Sequence, residues 1–193
     1  MAKTNWAADP VHSEIQFKVR HLMISTVTGY FKKFDIQLVT EEEDFTKASK
    51  ILFTADINSI ETNNAQRDTH LKSDDFFAAE KHPQIKFEGK KFEKITQEKY
   101  ELIGDLTIRD TTKTITVDVE FGGIVKDPWG NTRAGFHVDG KINRKDFGLK
   151  WSAVTEAGQI VVSDEIKIHC EVELVKQQAA EKSEEAMKEE VVA

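Results

Sequence analysis

Apolar and polar residues alternate one by one through much of this chain. Residues 13–21 read SEIQFKVRH and residues 113–121 read KTITVDVEF, with apolar side chains recurring at every second position. Residues 51–57, 100–108 and 166–174 show the same period. A period of two places the apolar side chains on one side of an extended segment and the polar ones on the other. The pattern therefore predicts antiparallel strands with one dry face and one face in water.

The length of these alternating segments favours a closed sheet. Several reach nine residues, whereas a typical strand has about five to six. Long strands joined by short turns suit a barrel, because closure leaves no strand edge without a hydrogen-bonding partner. The phase of alternation shifts between Phe31 and Phe34. This shift predicts a bulge or tight bend near Lys32 and Lys33, of the kind that curves a barrel strand.

Two segments depart from the strand pattern. Residues 64–83 hold few apolar residues at first, and we expect a short helix capped by Asn64 that ends before Pro83. The end of the chain is rich in Ala, Glu and Lys and lacks Gly and Pro, which predicts an exposed helix or a disordered tail. We therefore expect one barrel domain over residues 1–175 and a charged tail over residues 176–193.

Composition and charge narrow the class of protein. The 193 residues carry a net charge of -7 without a basic block, so we expect no nucleic-acid partner. The single cysteine, Cys170, allows no intrachain disulfide, and it lies in the apolar register of its strand, where an inert buried thiol is expected. No stretch has the apolar length of a signal peptide or a membrane span. We accordingly expect a cytoplasmic protein without an integral membrane segment.

The stretch RDTHLKSDDFF, residues 67–77, is the strongest candidate for chemistry. His70 and Asp74 are four residues apart and share one face of a helix, so the carboxylate could orient the imidazole for catalysis or metal binding. A zinc site needs three or four ligands, and no further His or Cys stands at ligand spacing. Phosphate loops, dinucleotide turns and nucleophile elbows are also missing from the sequence. We expect no metal, no cofactor and no enzyme activity, with a lipid-modifying enzyme using His70 and Asp74 as the alternative.

The order of short motifs along the chain resembles one known family. Residues 142–151, INRKDFGLKW, read either as a turn with aromatic plugs or as the rim of a pocket, and the pattern alone leaves both open. Together with seven other stretches they are similar to the YceI-like family of lipocalin-like, polyisoprenoid-binding proteins. The matching stretches are W-x-x-D-P-x-H-S at 6–13, F-x-V-R-H-L at 17–22, G-x-F at 29–31, R-D-x-H-L-x-S-x-D-F-F at 67–77, H-P-x-I-x-F at 82–87, G-x-L-T-I-R at 104–109, D-P-W-G at 127–130 and I-N-R-x-D-F-G-L-x-W at 142–151.

The resemblance implies an all-β, extended lipocalin-like antiparallel barrel of about eight strands with a short helix near one mouth. It also implies an apolar tunnel that carries, stores or senses a long-chain lipid, such as a polyisoprenoid, an isoprenoid quinone or a fatty amide or acid. It favours a homodimer. A ligand-free stress or interaction protein, with a filled barrel and a partner-binding tail, is a further alternative. An eight-stranded barrel is just wide enough either to be filled by its own side chains or to hold one small ligand.

The expected site has an apolar wall and a polar mouth. A few polar groups at the mouth would read the lipid head group, and the candidates are Arg67, His70, Asp74, Arg144 and Asp146. In the helical segment we expect Phe76 and Phe77 to turn toward the tunnel. The complete set of predicted wall residues is Phe17, Val19, Phe31, Ile36, Phe53, Phe76, Phe77, Phe87, Leu102, Leu106, Val117, Val119, Phe121, Phe136, Trp151 and Ile168.

Overall fold

A computed structural model describes residues 2–156, 158 and 160–177. Most of the predicted tail, residues 178–193, therefore lies outside the described residues, and Lys176 is the last residue of a strand. The described part contains eleven strand segments, one α-helix and three short 3-10 turns. The elements are β1 Lys3–Ala8, β2 Glu14–His21, β3 Ser25–Phe31, β4 Phe34–Glu41, β5 Lys50–Asp56, β6 Ile60–Glu61, α1 Ala65–Lys72, β7 Gln84–Lys94, β8 Lys99–Ile108, β9 Thr111–Lys126, β10 Thr132–Asn143 and β11 Val162–Lys176.

The eleven segments form eight antiparallel strands of one closed barrel. Segments β1 and β2 pair with β4 and β3 respectively, and β4 and β3 pair in turn with β5 and β6. Consecutive segments therefore combine into three long, interrupted strands, namely β1 with β2, β3 with β4, and β5 with β6. Segment β5 also pairs with β7, and from β7 onward each strand pairs with the next one along the chain, through β8, β9, β10 and β11. The first part of β11 pairs with β2 and its last residues pair with β1, which closes the sheet.

The bend and the helix occur where the sequence predicts them. The third strand segment ends at Phe31 and the fourth begins at Phe34, so the chain turns at the two lysines between them. The Asn64 side chain accepts a hydrogen bond from the backbone N–H of Arg67 and caps α1. All residues of α1 are at least partly exposed, because the helix lies across one end of the barrel rather than in its core.

The two ends of the barrel are built differently. The end that carries α1, here called the helix end, also holds residues 22–24, 109–110 and the long connection 144–161. At the opposite end a 3-10 turn, Phe45–Lys47, places the Phe45 ring 5.1 Å from the Trp6 ring and 4.9 Å from the Phe136 ring. Aromatic side chains thus seal this second end.

Charged residues of the matching motifs tie distant segments of the barrel wall together. The Arg133 guanidinium donates to Asp9 Oδ2 over 2.6 Å, to Asp127 Oδ2 over 2.7 Å and to the Glu173 carboxylate. The hydrogen bond from Arg133 holds the pKa of Asp127 well below its usual range. Asp9 and Asp127 belong to the D-P and D-P-W-G stretches, so these motifs meet in an ion-pair network beside the β9–β10 turn.

Glycines inside the strands make room for aromatic rings of the barrel interior. Gly29 lies directly opposite Phe17 in the β2–β3 ladder, and a Cβ added at Gly29 would lie only 2.1 Å from Phe17 Cζ. A Cβ added at Gly104 would lie 2.4 Å from Phe87 Cζ. Each ring packs against the backbone of a glycine, where there is no side chain to obstruct it. Large residues can therefore line the wall without filling the interior.

Replacing Gly29 by alanine should therefore push the Phe17 ring out of its place and into the interior. Overpacking of this kind costs about 1–3 kcal/mol of unfolding free energy, measured by urea denaturation. The Gly135→Ala variant is the control, because a Cβ there meets nothing within 4 Å. Equal stability of the Gly29→Ala variant and the wild type would contradict the assignment.

Candidate functional site

An apolar cavity of about 290 Å³ runs through the barrel. Its wall extends from Leu38, Phe45 and Leu174 at the aromatic end to Phe76 and Leu149 at the helix end. Nine of the twelve phenylalanines of the chain line it. Among the described residues of this wall, only Gln16 and Arg144 have polar side chains, and the others are apolar residues and Cys170.

Fourteen of the sixteen residues predicted for the wall line this cavity. They include Phe76 and Phe77, which are both buried at the helix end. The fourteen share the inward phase of their strands or belong to the segment after α1, and they are Phe17, Val19, Phe31, Ile36, Phe53, Phe76, Phe77, Phe87, Leu102, Leu106, Val117, Val119, Phe136 and Ile168.

The prediction is wrong for two residues, Phe121 and Trp151, which do not line the cavity. Phe121 keeps the phase of Val119 and pairs with Phe136, but its ring packs against Phe45 and Tyr100 in the aromatic seal at the far end of the barrel. The Trp151 ring lies 5.3 Å from the Phe76 ring and 5.1 Å from the His70 ring, in an outer layer over the helix end. Alternation alone does not reveal either displacement.

The wall also contains residues that the sequence prediction did not include. Most of them point inward on strands that the sequence already predicts. The alternation of apolar and polar residues along those strands could therefore have predicted them. Phe45 is different, since it belongs to a 3-10 turn between β4 and β5. The additional wall residues are Ile15, Gln16, Leu38, Phe45, Ile51, Leu71, Ile85, Phe92, Ile108, Ile115, Val138, Ile142, Leu149, Val162, Ile166, Cys170, Val172 and Leu174, besides the head-group candidate Arg144.

His70 does not pair with Asp74, the contact on which the alternative of an enzyme depended. His70 Nε2 lies 2.8 Å from Asp75 Oδ2, whereas Asp74 Oδ2 accepts a hydrogen bond from Lys81 Nζ over 2.9 Å. The chain leaves the helix at Ser73, so the four-residue spacing no longer places Asp74 on the His70 face. His70 keeps edge-to-face contacts with Phe76 and Trp151 and stays partly exposed, beside the cavity wall.

Arg67 holds the backbone at the start of the helical segment. Its Nε donates to Thr62 Oγ1 over 2.7 Å and its Nη2 donates to the Thr62 carbonyl over 2.6 Å. Asp68 accepts from both the N–H and the hydroxyl of Thr62. The R-D pair of the motif therefore fixes the link between β6 and α1, and the Arg67 hydrogen bonds are directed inward to that link.

Arg144, one of the head-group candidates, lines the cavity and is a buried clamp for the loop at the helix end. Only 2% of the residue is exposed. Its Nη1 donates to the carbonyls of Leu149 and Trp151 over 2.6 and 2.7 Å, its Nε to the Ser163 carbonyl, and its Nη2 to Asp164 Oδ1 over 3.0 Å. These partners occupy the guanidinium.

Two further polar residues complete the helix end. Asp146, the other candidate from the same stretch, is exposed and sits in the 3-10 turn Arg144–Phe147. Arg109 Nη1 donates to the carbonyls of Phe76 and Gly148 over 3.2 and 3.4 Å. Arg109 thus joins the segment after α1 to the 144–151 loop, and these two segments together cover the cavity at this end.

The arrangement defines a protein with a lipocalin-like, closed eight-stranded barrel, one helix and an apolar interior. Comparison with known proteins then assigns the family. The chain belongs to the YceI-like family, because the YceI-like domain model matches residues 6–174.

Relatives and solved structures agree with that assignment. A UPF0312 protein of Staphylococcus epidermidis is 40% identical over 174 residues, which cover 90% of this chain and 97% of the relative. The YCEI protein of Campylobacter jejuni has a crystal structure with a TM-score of 0.71 and 37% identity, covering 82% of this chain and 90% of that one. A polyisoprenoid binding domain from Saccharophagus degradans shares the fold with a TM-score of 0.68 and 12% identity, covering 89% and 98% of the two chains.

Among the residues that the structure describes, no helix is both long enough and apolar enough to cross a bilayer.

Replacing Arg144 by glutamine should destabilise the protein strongly. The change leaves the carbonyls of Leu149, Trp151 and Ser163 without their donor and removes one of the two cationic partners of Asp164. Losses of this kind cost about 3 kcal/mol. The measurement is the free energy of unfolding in urea. The control is Lys145→Gln, which removes an exposed charge that pairs with the same Asp164. A loss no larger than that of the control would contradict the clamp.

The Cys170 thiol should be unreactive in the native protein. Burial raises its pKa to about 12, so the nucleophilic thiolate is scarce at pH 8, where an ordinary thiol with a pKa of about 8.5 is partly ionised. A disulfide reagent should modify the urea-unfolded chain quickly and the folded chain very slowly. Equal rates for both forms would show that the thiol is accessible.

Proposed function

We propose that the protein binds one long-chain apolar lipid, such as a polyisoprenoid or an isoprenoid quinone, in the barrel cavity. The main support for this proposal is the elongated shape and the apolar lining of that cavity. Every second residue of β11 from Ile166 to Leu174 contributes to its wall. At about 3.3 Å per residue this is about 26 Å along the strand, or about 20 Å along the barrel axis for an ordinary strand tilt. A long, narrow, apolar space suits a chain rather than a compact polar molecule.

The volume of the cavity supports an apolar occupant. Unfilled apolar space inside a protein costs about 24 cal/mol per Å³, so filling 290 Å³ is worth about 7 kcal/mol. This is comparable with the whole stability of a typical domain, about 5–15 kcal/mol. Water gains little in such a space, because the wall offers it almost no hydrogen-bonding partner. The same volume argues against the alternative of a barrel filled by its own side chains.

The polar groups at the helix end support a simple mode of head-group recognition. Arg67 and Arg144 donate to backbone carbonyls, whereas the partly exposed His70 pairs with Asp75 and contacts the ring of the wall residue Phe76. We propose that this pair meets the polar end of the lipid, while the chain lies against the phenylalanines. Selectivity for chain length would be low, since one methylene is worth only about 1–3 kcal/mol in a pocket.

The other features of the proposal follow from the family. The Saccharophagus degradans domain that shares this fold is described as polyisoprenoid binding, which supports a lipid ligand for this chain and a binding protein rather than an enzyme. The pairing of Asp74 with Lys81 rather than with His70 also favours a binding protein over an enzyme built on these two residues. Carriage, storage or sensing of the lipid, a cytoplasmic location and a homodimer belong to the same proposal. Light scattering of the purified protein tests the dimer.

Native mass spectrometry of the purified full chain, before and after organic extraction, tests the ligand directly. We expect an adduct of lipid mass that extraction removes and that added polyisoprenoid or ubiquinone restores. The Phe87→Glu variant should lose this uptake, because it places a carboxylate in the apolar wall. The Lys86→Glu variant should retain it, because Lys86 is exposed on the outer face of the same strand.

A second variant guards against failure of the first to fold. Val138→Phe keeps the wall apolar while narrowing the cavity at its β10 side, and we expect reduced uptake with native far-ultraviolet circular dichroism. A wild-type chain that carries no adduct and takes up neither isoprenoids nor fatty amides would overturn the proposed function.

A further inference from the structure

Four side chains that can ligate a metal lie together on the outer wall of the barrel. In the β10–β11 ladder His137 lies opposite Glu171, and Asp139 lies opposite His169. The residues between them, Val138 and Cys170, line the cavity, so these four side chains are on the water-facing side of the same two strands. The two histidines are far apart in the sequence, and only the strand register brings them together.

The hydrogen bonds of Asp139 orient both imidazoles. Asp139 Oδ2 lies 2.8 Å from His137 Nε2, and Asp139 Oδ1 lies 2.9 Å from His169 Nδ1. When both nitrogens donate to this carboxylate, the lone pairs of the neutral rings are on His137 Nδ1 and His169 Nε2. A carboxylate that fixes the tautomer and orientation of histidine ligands is a recurrent feature of protein metal sites.

Glu171 completes a three-ligand set. Its Oε1 lies 2.8 Å from His137 Nδ1. With Nε2 of His137 donating to Asp139, two lone pairs would face each other at this distance unless a proton or a metal cation lies between them. A ligating atom from each of His137, His169 and Glu171 lies within 4.8 Å of the other two. Two imidazoles and one carboxylate are a typical set for divalent iron, zinc and related ions.

A neighbouring cluster shows why this one suits a cation. Asp9, His12 and Glu173 are also close enough together to hold an ion, but Arg133 already donates to Asp9 and Glu173 there. Within the described part of the chain, Asp139 and Glu171 form ion pairs with the histidines and with no Lys or Arg.

The strand beside the cluster adds negative charge and open space. On β9, Glu120 lies opposite His137 and Asp118 lies opposite Asp139. Their carboxylates add to the negative potential around the cluster. Gly122 and Gly135 border a shallow groove that His137 and Glu171 share, so small ligands can approach.

We propose that His137, His169 and Glu171 bind one divalent transition-metal ion on the outer wall, with Asp139 holding both histidines in place. The ion would join β10 to β11, and its remaining coordination positions would face solvent. This site is separate from the cavity, and the proposal is independent of any lipid.

The test uses the tag-free full-length chain after treatment with a chelator. Zinc chloride titrated in a calorimeter should bind saturably at one equivalent, and cobalt chloride should give visible d–d absorption bands. The Asp139→Asn variant should bind about 10–100-fold more weakly, as is usual when a partner of a histidine ligand is lost. His169→Ala and Glu171→Gln should lose the one-equivalent binding and the cobalt bands, with circular dichroism confirming that both variants are folded.

The His12→Ala variant is the matched control, since it removes a histidine from the adjacent Arg133 cluster on the same face. We expect it to bind zinc and cobalt as the wild type does. The proposal fails if the wild type shows no saturable binding. It also fails if folded His169→Ala binds as tightly as the wild type, or if His12→Ala loses binding to the same extent.

Discussion

Closure of the sheet by β11 is the constraint on which the rest of this structure depends. The strand pairs with β2 along its first part and with β1 at its end, so it joins the last strand of the meander to the first. Closure gives β11 a partner on both of its edges and fixes an inside and an outside for each strand of the barrel. Because side chains alternate, an apolar phase must then line the interior, and Gly29 and Gly104 let large rings lie flat in that wall.

At the two ends of the barrel, backbone groups outside the sheet need other hydrogen-bonding partners. Connections must cover an apolar interior with backbone that still needs hydrogen-bonding partners. Arginines meet that need at the helix end: Arg144 bonds three carbonyls, Arg109 bonds two and Arg67 holds Thr62. Residues that look like a catalytic or head-group constellation in the sequence thus serve to build the cover. At the other end the rings around Phe45 cover the interior, and the Asp44 side chain caps the 3-10 turn that carries Phe45.

The two faces of the same strands separate two kinds of chemistry. On β10 and β11 the inward residues Val138, Cys170 and Val172 belong to the apolar cavity. The outward residues between them, His137, Asp139, His169 and Glu171, form a polar cluster with hydrogen bonds of 2.8–2.9 Å. A wall one residue thick can therefore present an apolar surface to a lipid and a polar one to an ion. An ion bound outside would act on the strands that shape the cavity inside.

The sequence was enough to predict the strands, their closure into a barrel, the bend after Phe31, the Asn64 cap and fourteen of the described residues that line the cavity. These features follow from local periodicity and local capping, which are written in consecutive residues. The partners of the polar side chains, in contrast, depend on the tertiary fold. The helix α1 ends before Ser73, so His70 pairs with Asp75, and burial commits Arg144 to the loop. Packing on Phe45 and Tyr100 likewise places the Phe121 ring in the aromatic seal. Likewise, His137 and His169 are 32 residues apart in sequence and meet only because β10 and β11 pair in one particular register.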